Sequence, residues 1–262
     1  MKLADGYRIL EISTNLADKK ITVYPTLLLD DPVILVDTGY PGQLPQIHEA
    51  IEKTGIAFNK LNKVILTHHD IDHMGNAKSL ENKLPLEVLA HEAEKPYIEG
   101  KLRSPRLNSH EALQNIMPEE INLVHEKLKT FFDLNKIKLS NTLTDGQILP
   151  YCGGITVIHT PGHTWGHISL YLRRSKTLIA GDNLVLDRGI LTTALQFTML
   201  DMNLYIKSLY KLTNYDIETV ICYHGGLYKG NVNERIAELA GNQVNKQCPE
   251  NLIRKFFQYS NT

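Results

Sequence analysis

A dense group of side chains that can bind metal lies in the segment Thr67–Gly75, which reads Thr-His-His-Asp-Ile-Asp-His-Met-Gly. Five of the six residues from His68 to His73 carry an imidazole or a carboxylate. The apolar run Val64–Leu66 precedes them and predicts a buried strand, so these side chains would lie in the loop at its end. Carboxylates and imidazoles packed this closely are costly unless a cation neutralises them. The segment therefore predicts a metal site rather than a polar surface loop.

Three further segments each place one ligand-type residue just after a predicted strand. In the run His159–His167 a strand ends, and a Pro-Gly turn then presents His163. Asp182 follows a short apolar strand, and His224 follows another and is itself followed by two glycines. The end of a strand in a rigid sheet can hold such a side chain in place. Each segment alone has an ordinary structural explanation, but together and in this order they predict one site with several ligands.

The elements that must position these residues are predicted from apolar periodicity. Strands of the first half are expected near 7–13, 21–29, 33–37, 63–67 and 86–90, with a helix over 44–53 and a helical start at 91–98. Strands of the second half are expected near 136–143, 155–159, 167–172, 177–180 and 219–222, with helices over 202–212 and 231–244. Two successive sets of strands mixed with helices are typical of a layered α/β sandwich.

Residues 101–135 differ from both halves, because their apolar residues have helical spacing and show no strand pattern. We interpret this segment as a helical insertion. No repeat, low-complexity tract or Gly/Ser linker marks a boundary, so we expect a single domain over 1–262. Leu107, Phe131 and Phe132 of the insertion, and the apolar stretch 190–200, are expected near the open side of the site, although core packing would explain them equally well.

Charge and hydropathy limit the partners of the protein. The formal net charge is −1, and no block of Lys and Arg offers phosphate contacts, so we expect no nucleic-acid partner. The amino terminus lacks the apolar core of a secretory signal, and no apolar stretch is long enough to span a bilayer. We therefore expect no membrane association, a cytoplasmic location and a small-molecule substrate.

In these four segments, taken in order and with their spacing, the chain resembles the metallo-β-lactamase superfamily. The pattern of that superfamily is H-x-H-x-D-H, then a TPGH histidine, a GD aspartate and a final histidine. The segment Asp37-Thr38-Gly39 also resembles its early DTG turn. The resemblance implies a four-layer αβ/βα sandwich, to which the helical insertion would be an addition.

The resemblance also implies a pair of divalent metal ions and a set of ligands for each. Asp182 would bridge the two ions, and Asp37 would orient the loop or a ligand imidazole. By position in the pattern, the first ion would be held by His68, Asp70 and His163, and the second by Asp72, His73 and His224.

The chain departs from the pattern at Asp70, where the superfamily has its second histidine. His69 occupies the variable position and would be a ligand only if the loop slipped by one residue, which would turn its side chain away from the site. A carboxylate is a harder ligand than an imidazole, so it would shift preference from zinc toward iron or manganese without excluding zinc. Zinc remains the expected metal.

Two divalent ions at such a site can lower the pKa of a bridging water to roughly 7 and polarise a carbonyl. The resemblance thus implies a hydrolase whose metal-bridging hydroxide attacks an ester, thioester, lactone or amide, with Asp72 orienting the water and Asp182 bridging the ions. The native substrate is not determined by the sequence.

Among the activities of this superfamily, a lactonase or thioesterase of the glyoxalase II and quorum-quenching kind fits best, although no tyrosine closely follows Asp182. A β-lactamase usually requires export, and a nuclease would need a basic insertion, whereas residues 101–135 are mixed in charge. A flavodiiron-type oxidoreductase also places a carboxylate near the second ligand position, but such enzymes carry an appended flavin-binding domain. A non-catalytic binding module would leave the full ligand set without a purpose.

Overall fold

The computed structural model describes residues 6–16, 19–105, 107 and 119–245, and its first half builds one six-stranded sheet and a separate hairpin. The strands are β1 (Tyr7–Ile9), β2 (Ile12–Leu16), β3 (Lys19–Val23), β4 (Thr26–Leu28), β5 (Val33–Val36), β6 (Leu61–Ile65), β7 (Glu87–His91) and β8 (Asn141–Leu143). In the sheet the order is β1-β4-β5-β6-β7-β8, and the strands from β5 to β8 are parallel. The hairpin pairs β2 with β3.

The second half builds another six-stranded sheet and another hairpin. Its strands are β9 (Ile148–Leu149), β10 (Ile155–His159), β11 (Ile168–Leu172), β12 (Thr177–Ile179), β13 (Val185–Asp187), β14 (Ile190–Thr192), β15 (Thr219–Cys222) and β16 (Gly226–Lys229). The order in the sheet is β16-β15-β12-β11-β10-β9, while β13 and β14 form the hairpin.

Helices cover the outer faces of both sheets. They are α1 (Leu44–Lys53), α2 (Ile71–Met74), α3 (Ala77–Glu81), α4 (Lys95–Ile98), α5 (Glu119–Leu134), α6 (Met202–Leu212) and α7 (Val232–Asn245). Short 3-10 turns occur at Phe58–Lys60 and Gln196–Thr198. Among the helices that the structure describes, none has the length and apolar character needed to cross a bilayer.

Three apolar cores hold these layers together. One core lies between the two sheets and joins Ile34 and Ile65 of the first sheet to Leu170 and Ile221 of the second. A second core joins the outer face of the first sheet to its helices, and a third does the same for the second sheet. The result is helix, sheet, sheet and helix, which confirms the predicted four-layer αβ/βα sandwich.

The direction of the strands brings the candidate site residues to one edge of the sandwich. Strand β10 is antiparallel to β11, β11 is antiparallel to β12, and β12 is parallel to β15, so β10, β12 and β15 all run the same way. His163, Asp182 and His224 follow the ends of these three strands. The edges of the two sheets meet there, where the backbone N–H of Ile168 donates to the carbonyl of Thr67 at 3.0 Å.

Most predicted elements are present, and the differences follow from changes of hydrogen-bonding partner. The strand expected over 7–13 is broken, because β1 pairs with β4 whereas β2 pairs with β3. The strand expected over 136–143 begins only at Asn141, since the chain before it bonds at Ile137 to the carbonyl of Ile98 in α4. The hairpin β13–β14 was not predicted, although Arg188-Gly189 between two apolar runs is a turn signal.

The predicted insertion is partly described. Its helix α5 covers 119–134, while residues 106 and 108–118 lie outside the described part of the chain. Leu107 and Phe132 lie on the site side, as expected. Phe131 does not, because it packs into the core beneath the first sheet.

A close backbone contact fixes the end of the ligand loop, at Gly75, against the early DTG turn. A Cβ added to Gly75 would lie 2.2 Å from the carbonyl oxygen of Gly39 and 2.6 Å from the backbone nitrogen of Pro41. Neither atom can move without displacing the turn that holds Asp37. Only glycine fits this position.

We expect Gly75→Ala to lower the free energy of unfolding by about 3 kcal/mol or more, because it forces two backbone segments apart. Urea denaturation followed by circular dichroism measures the change. Gly241→Ala is the matched control, since Gly241 lies in α7 with open space around it, and the substitution should be neutral or stabilise by up to about 1 kcal/mol. Equal midpoints for the two variants would contradict the assigned contact.

Candidate metal centre

His68, Asp70 and His163 form the first cluster at the shared edge. The Oδ2 atom of Asp70 lies 3.4 Å from Nε2 of His68 and 3.1 Å from Nε2 of His163. The three ligand atoms lie within 4.8 Å of one another, which is close enough to share one ion. These are the residues that the sequence predicts for the first metal.

Asp72, His73 and His224 form the second cluster. The Oδ2 atom of Asp72 lies 3.2 Å from Nε2 of His224 and 3.8 Å from Nε2 of His73. This cluster also keeps its ligand atoms within 4.8 Å of one another. These are the residues that the sequence predicts for the second metal.

Asp182 lies between the two clusters. Its Oδ2 atom is 3.3 Å from Nε2 of His163, while its Oδ1 atom is 3.1 Å from Nε2 of His73 and 3.4 Å from Nε2 of His224. One carboxylate thus turns one oxygen toward each cluster. This is the arrangement that a bridging ligand needs.

The donor atoms of the clusters fit a pair of cations. His68, His73, His163 and His224 all present Nε2 to the same space. Three atoms there, Nε2 of His68, Nε2 of His73 and Oδ1 of Asp182, are buried and have no hydrogen-bond partner. Buried polar atoms are normally paired, and a divalent ion would pair all three.

The buried carboxylate of Asp37 orients the ligand loop. Its Oδ2 atom accepts from Nδ1 of His73 at 2.9 Å and from the Thr67 hydroxyl at 2.8 Å, and its Oδ1 atom accepts from the Thr67 backbone N–H at 2.8 Å. The proton of His73 therefore lies on Nδ1, which leaves Nε2 free to bind a metal. Both roles expected for Asp37, toward the loop and toward a ligand imidazole, are present.

His69 faces away from the clusters and is fully buried. Its backbone N–H donates to Oε2 of Glu94 at 2.9 Å, and its Nδ1 atom makes a short contact with the same oxygen. Its Nε2 atom lies 3.1 Å from the hydroxyl of Ser104, and its ring stacks on Tyr97. The structure therefore places Asp70, and not His69, beside His68.

Glu94 ties the two ligand-bearing loops together. While its Oε2 atom bonds His69, its Oε1 atom accepts from the Thr164 hydroxyl and from the backbone N–H of Gly166, both at 2.7 Å. Four donors thus satisfy a carboxylate that is wholly buried. Sequence reasoning missed Glu94, because no local pattern distinguishes it from a surface glutamate in a helical start.

His167 supports Asp182 from behind. Its Nε2 atom accepts the backbone N–H of Asp182 at 2.9 Å, so its Nδ1 atom donates to the Thr160 hydroxyl at 2.8 Å. Burial, reinforced by neighbouring His163, lowers the pKa of His167 to about 3, which keeps the ring neutral and able to accept. These contacts give His167 a supporting role behind Asp182.

His159, the last residue of β10, is packed against a neighbouring ring and hydrogen-bonded. It stacks on His91 with ring centroids 4.0 Å apart, and its Nε2 atom lies 2.9 Å from the carbonyl of Trp165. The Trp165 side chain is exposed and does not line the site. Neither residue contacts the clusters.

The electrostatics of the centre are set by opposite charges in close contact. Burial would raise the pKa of Asp182, but the imidazoles of His224 and His73 outweigh it and hold that pKa well below its usual range. Burial would likewise lower the pKa of His224, yet Asp182 and Asp72 raise it to about 10. Asp182 is thus held as a carboxylate, the form that binds metal.

A cleft of about 340 Å³ opens beside the clusters. Asp70, Asp72, Asp182, His163 and His224 form its charged side. Its other walls include Tyr40, Ile71, Ser104, Leu107, Leu128, Phe132 and Thr198. Of the apolar stretch 190–200, Thr198 lines the cleft, Leu191 is buried in the core, and Ile190, Leu195 and Phe197 are exposed.

Two tyrosines at the site were not predicted. Burial and the nearby carboxylate of Asp72 raise the pKa of Tyr40, which lines the cleft. The hydroxyl of Tyr223 makes a short hydrogen bond to the backbone carbonyl of Asp72 and accepts from Gly39 N–H at 3.1 Å. Each tyrosine directly follows or precedes a recognised segment, the DTG turn or His224, and that adjacency was the available signal.

Comparisons with known proteins agree with this geometry. The family model described as the metallo-beta-lactamase superfamily matches residues 22–224. The probable metallo-hydrolase YflN of Bacillus subtilis is 31% identical over 156 residues, which cover 58% of this chain and 55% of that protein. A hydroxyacylglutathione hydrolase of Brucella ovis is 28% identical over 161 residues, covering 62% of this chain and 47% of that enzyme. The match thus spans less than two thirds of either relative.

A solved structure shares the fold. The crystal structure of a metallo-beta-lactamase family protein from Thermus thermophilus superposes with a TM-score of 0.70 at 24% sequence identity. The superposition covers 92% of this chain and 80% of the Thermus protein. At this identity the likeness concerns the fold.

Asp182→Ala should reduce the metal content from two ions per chain to one or fewer, because it removes the carboxylate that faces both clusters. Elemental analysis of protein dialysed against excess metal measures the stoichiometry. Asp187→Ala, which removes an exposed aspartate of β13, is the control and should keep two ions. A wild-type protein that saturates at a single ion would contradict the two-ion assignment.

Substitutions at Asp70 and at His69 should have different effects on metal binding and on stability. Asp70→Ala should weaken the first metal, and Asp70→His should raise the preference for zinc over iron or manganese, since imidazole is the softer donor. His69→Ala should leave the metal content nearly unchanged while lowering the free energy of unfolding by about 1–3 kcal/mol, because Glu94 loses a buried partner. Competition titrations and urea denaturation measure the two effects. Loss of an ion from His69→Ala with both ions kept in Asp70→Ala would reverse the assignment.

Proposed function

Because the chain belongs to the metallo-β-lactamase superfamily, we propose that it is a hydrolase that holds two divalent metal ions and cleaves a carbonyl substrate. The substrate would be an ester, thioester, lactone or amide. The observation that carries this proposal is the position of Asp182, which turns one oxygen toward each of two clusters.

The residues proposed to hold the first ion are His68, Asp70 and His163, and those for the second are Asp72, His73 and His224, with Asp182 shared. Bound there, two divalent ions supply an activated water at neutral pH and polarise the carbonyl of the substrate. Zinc is the proposed metal, because imidazoles dominate the set. The carboxylate of Asp70 makes iron or manganese the alternatives.

Residues of this chain would then orient the reacting groups. Asp72 lines the cleft with one oxygen 3.2 Å from Nε2 of His224, and the Tyr223 hydroxyl holds its backbone carbonyl. Asp72 is the proposed residue for orienting the attacking water. No serine or cysteine nucleophile is required for this chemistry.

The cleft supports an acyl substrate with an apolar part. Ile71, Leu107, Leu128 and Phe132 face the charged side across it. A thioester or lactone presents this combination of a polar reacting group and an apolar chain. The hydroxyacylglutathione hydrolase similarity points the same way, toward thioesters.

The second candidate function is a metal-dependent oxidoreductase of the flavodiiron type. The carboxylate of Asp70 beside His68 and His163 favours it, because hard oxygen ligands suit iron. A β-lactamase activity has no specific observation in its favour, since the likeness to β-lactamase structures concerns the fold.

The metal-loaded protein should hydrolyse at least one compound in a panel of thioesters, lactones, activated esters and β-lactams. Activity should disappear on dialysis against a chelator and return with added zinc, iron or manganese, because the proposed site supplies the nucleophile only when loaded. Spectrophotometric assays of product release measure this, with heat-denatured protein at the same metal concentration as the control. If every carbonyl substrate is inert while the loaded protein reduces oxygen, the oxidoreductase function replaces this one.

A further inference from the structure

A chain of three side chains runs from the buried interior to the wall of the cleft. Glu94 contacts Nδ1 of His69, and Nε2 of His69 lies 3.1 Å from the hydroxyl oxygen of Ser104. Glu94 and His69 are fully buried, whereas Ser104, 3% exposed, lines the cleft. None of the three belongs to the clusters proposed to bind metal.

The hydrogen bonds of Glu94 set the direction of the hydrogen bonds that His69 and Ser104 make. Each of its oxygens accepts a backbone N–H, from His69 on one side and from Gly166 on the other. A carboxylate that accepts in this way takes a proton donor at His69 Nδ1, so the imidazole proton lies on Nδ1. With the ring neutral, Nε2 is an acceptor.

Toward the neutral His69 ring, Ser104 donates its hydroxyl proton. A hydroxyl whose proton is engaged in this hydrogen bond offers only its oxygen lone pairs to other groups. Toward a molecule in the cleft, Ser104 is thus a neutral hydrogen-bond acceptor.

Ser104 is a polar group on an apolar part of the cleft wall. The walls near it are formed by the apolar side chains of Leu107, Leu128 and Phe132. The acidic and imidazole groups of the cleft belong to the proposed metal clusters. A substrate held with its carbonyl at the clusters would lay its acyl part along the apolar walls, where Ser104 offers a polar contact.

We propose that Ser104 is a specificity-determining residue that accepts a hydrogen bond from a hydroxyl or amide N–H on the acyl part of the substrate. His69 and Glu94 are positioning residues, which act by fixing the direction of the Ser104 hydroxyl. This inference rests on the proposed function as a carbonyl hydrolase. It narrows the substrates to acyl compounds that carry a hydrogen-bond donor.

The test compares thioesters of N-acetylcysteamine that have the same chain length and differ at one carbon. A hydroxyl at carbon 2 or 3 is a donor, an oxo group at that carbon is an acceptor, and the unsubstituted chain is neither. We expect wild-type protein to prefer a hydroxyacyl over the matching oxoacyl thioester by roughly tenfold in kcat/KM, mainly through KM. In Ser104→Ala the preference should fall to about twofold or less.

Ser208→Ala is the matched control. Ser208 is also 3% exposed and its hydroxyl donates to the Pro161 carbonyl at 2.7 Å, away from the cleft. It should keep the preference of the wild type. Equal preference in Ser104→Ala and wild type, or none in wild type, would overturn the proposal.

Substitutions at His69 test the direction of the hydrogen bond. Glutamine can donate to Glu94 and accept from Ser104, so His69→Gln should keep the preference for the hydroxyacyl substrate. Leucine can do neither, and His69→Leu frees the Ser104 proton, so the preference should shift toward the oxoacyl substrate. Identical preferences in the two variants, each checked for folding by circular dichroism, would show that His69 does not set the direction.

A binding measurement separates this inference from the proposed function. Non-hydrolysable thioethers carrying the same hydroxyl or oxo group are titrated into the metal-loaded protein by calorimetry. If no thioester is cleaved but the hydroxyl thioether binds roughly tenfold tighter in a manner that depends on Ser104, the hydrolase function fails and the role of Ser104 stands. If thioesters are cleaved and the two thioethers bind equally, the role of Ser104 fails alone.

Discussion

The arrangement depends on one electrostatic constraint: Asp70, Asp72 and Asp182 are held close together at a largely buried edge. Three carboxylates in a region of low dielectric repel one another unless positive charge lies between them. The imidazoles around them present Nε2 to the same space, and two of those nitrogens have no hydrogen-bond partner. The site is therefore built around cations, and the fold must bring its ligands close enough to share them.

Three of the candidate ligands are held from behind by groups that do not touch the shared space. Asp37 bonds His73, His167 accepts the backbone N–H of Asp182, and Tyr223 contacts the backbone of Asp72. Glu94 joins the loop after β6 to the loop after β10 through four hydrogen bonds. Such contacts restrict the ligands to one geometry, which lowers the entropy lost when a metal binds.

The cleft has two chemically different surfaces. Its charged side is suited to activating water and a carbonyl, while its apolar walls are suited to an acyl chain. The link between them is the chain from Glu94 through His69 to Ser104. Because His69 is next to two proposed ligands in the sequence yet points the other way, a single loop serves both surfaces.

The candidate ligand residues and the fold class were predicted from the sequence alone. His68, Asp70, His163, Asp182 and His224 each follow a strand end, and strand ends are visible in local apolar periodicity. The helices 44–53 and 202–212 were predicted with their observed bounds for the same reason. Only the tertiary structure decided three other features. They are the partners of Glu94, the contact of Tyr40 with Asp72, and the division of Phe131 and Phe132 between core and cleft. His69 and Glu94 are 25 residues apart and Ser104 is 35 residues from His69. Periodicity reports which face of an element is buried, but side chains from separate loops meet only when the packed sheets bring those loops together.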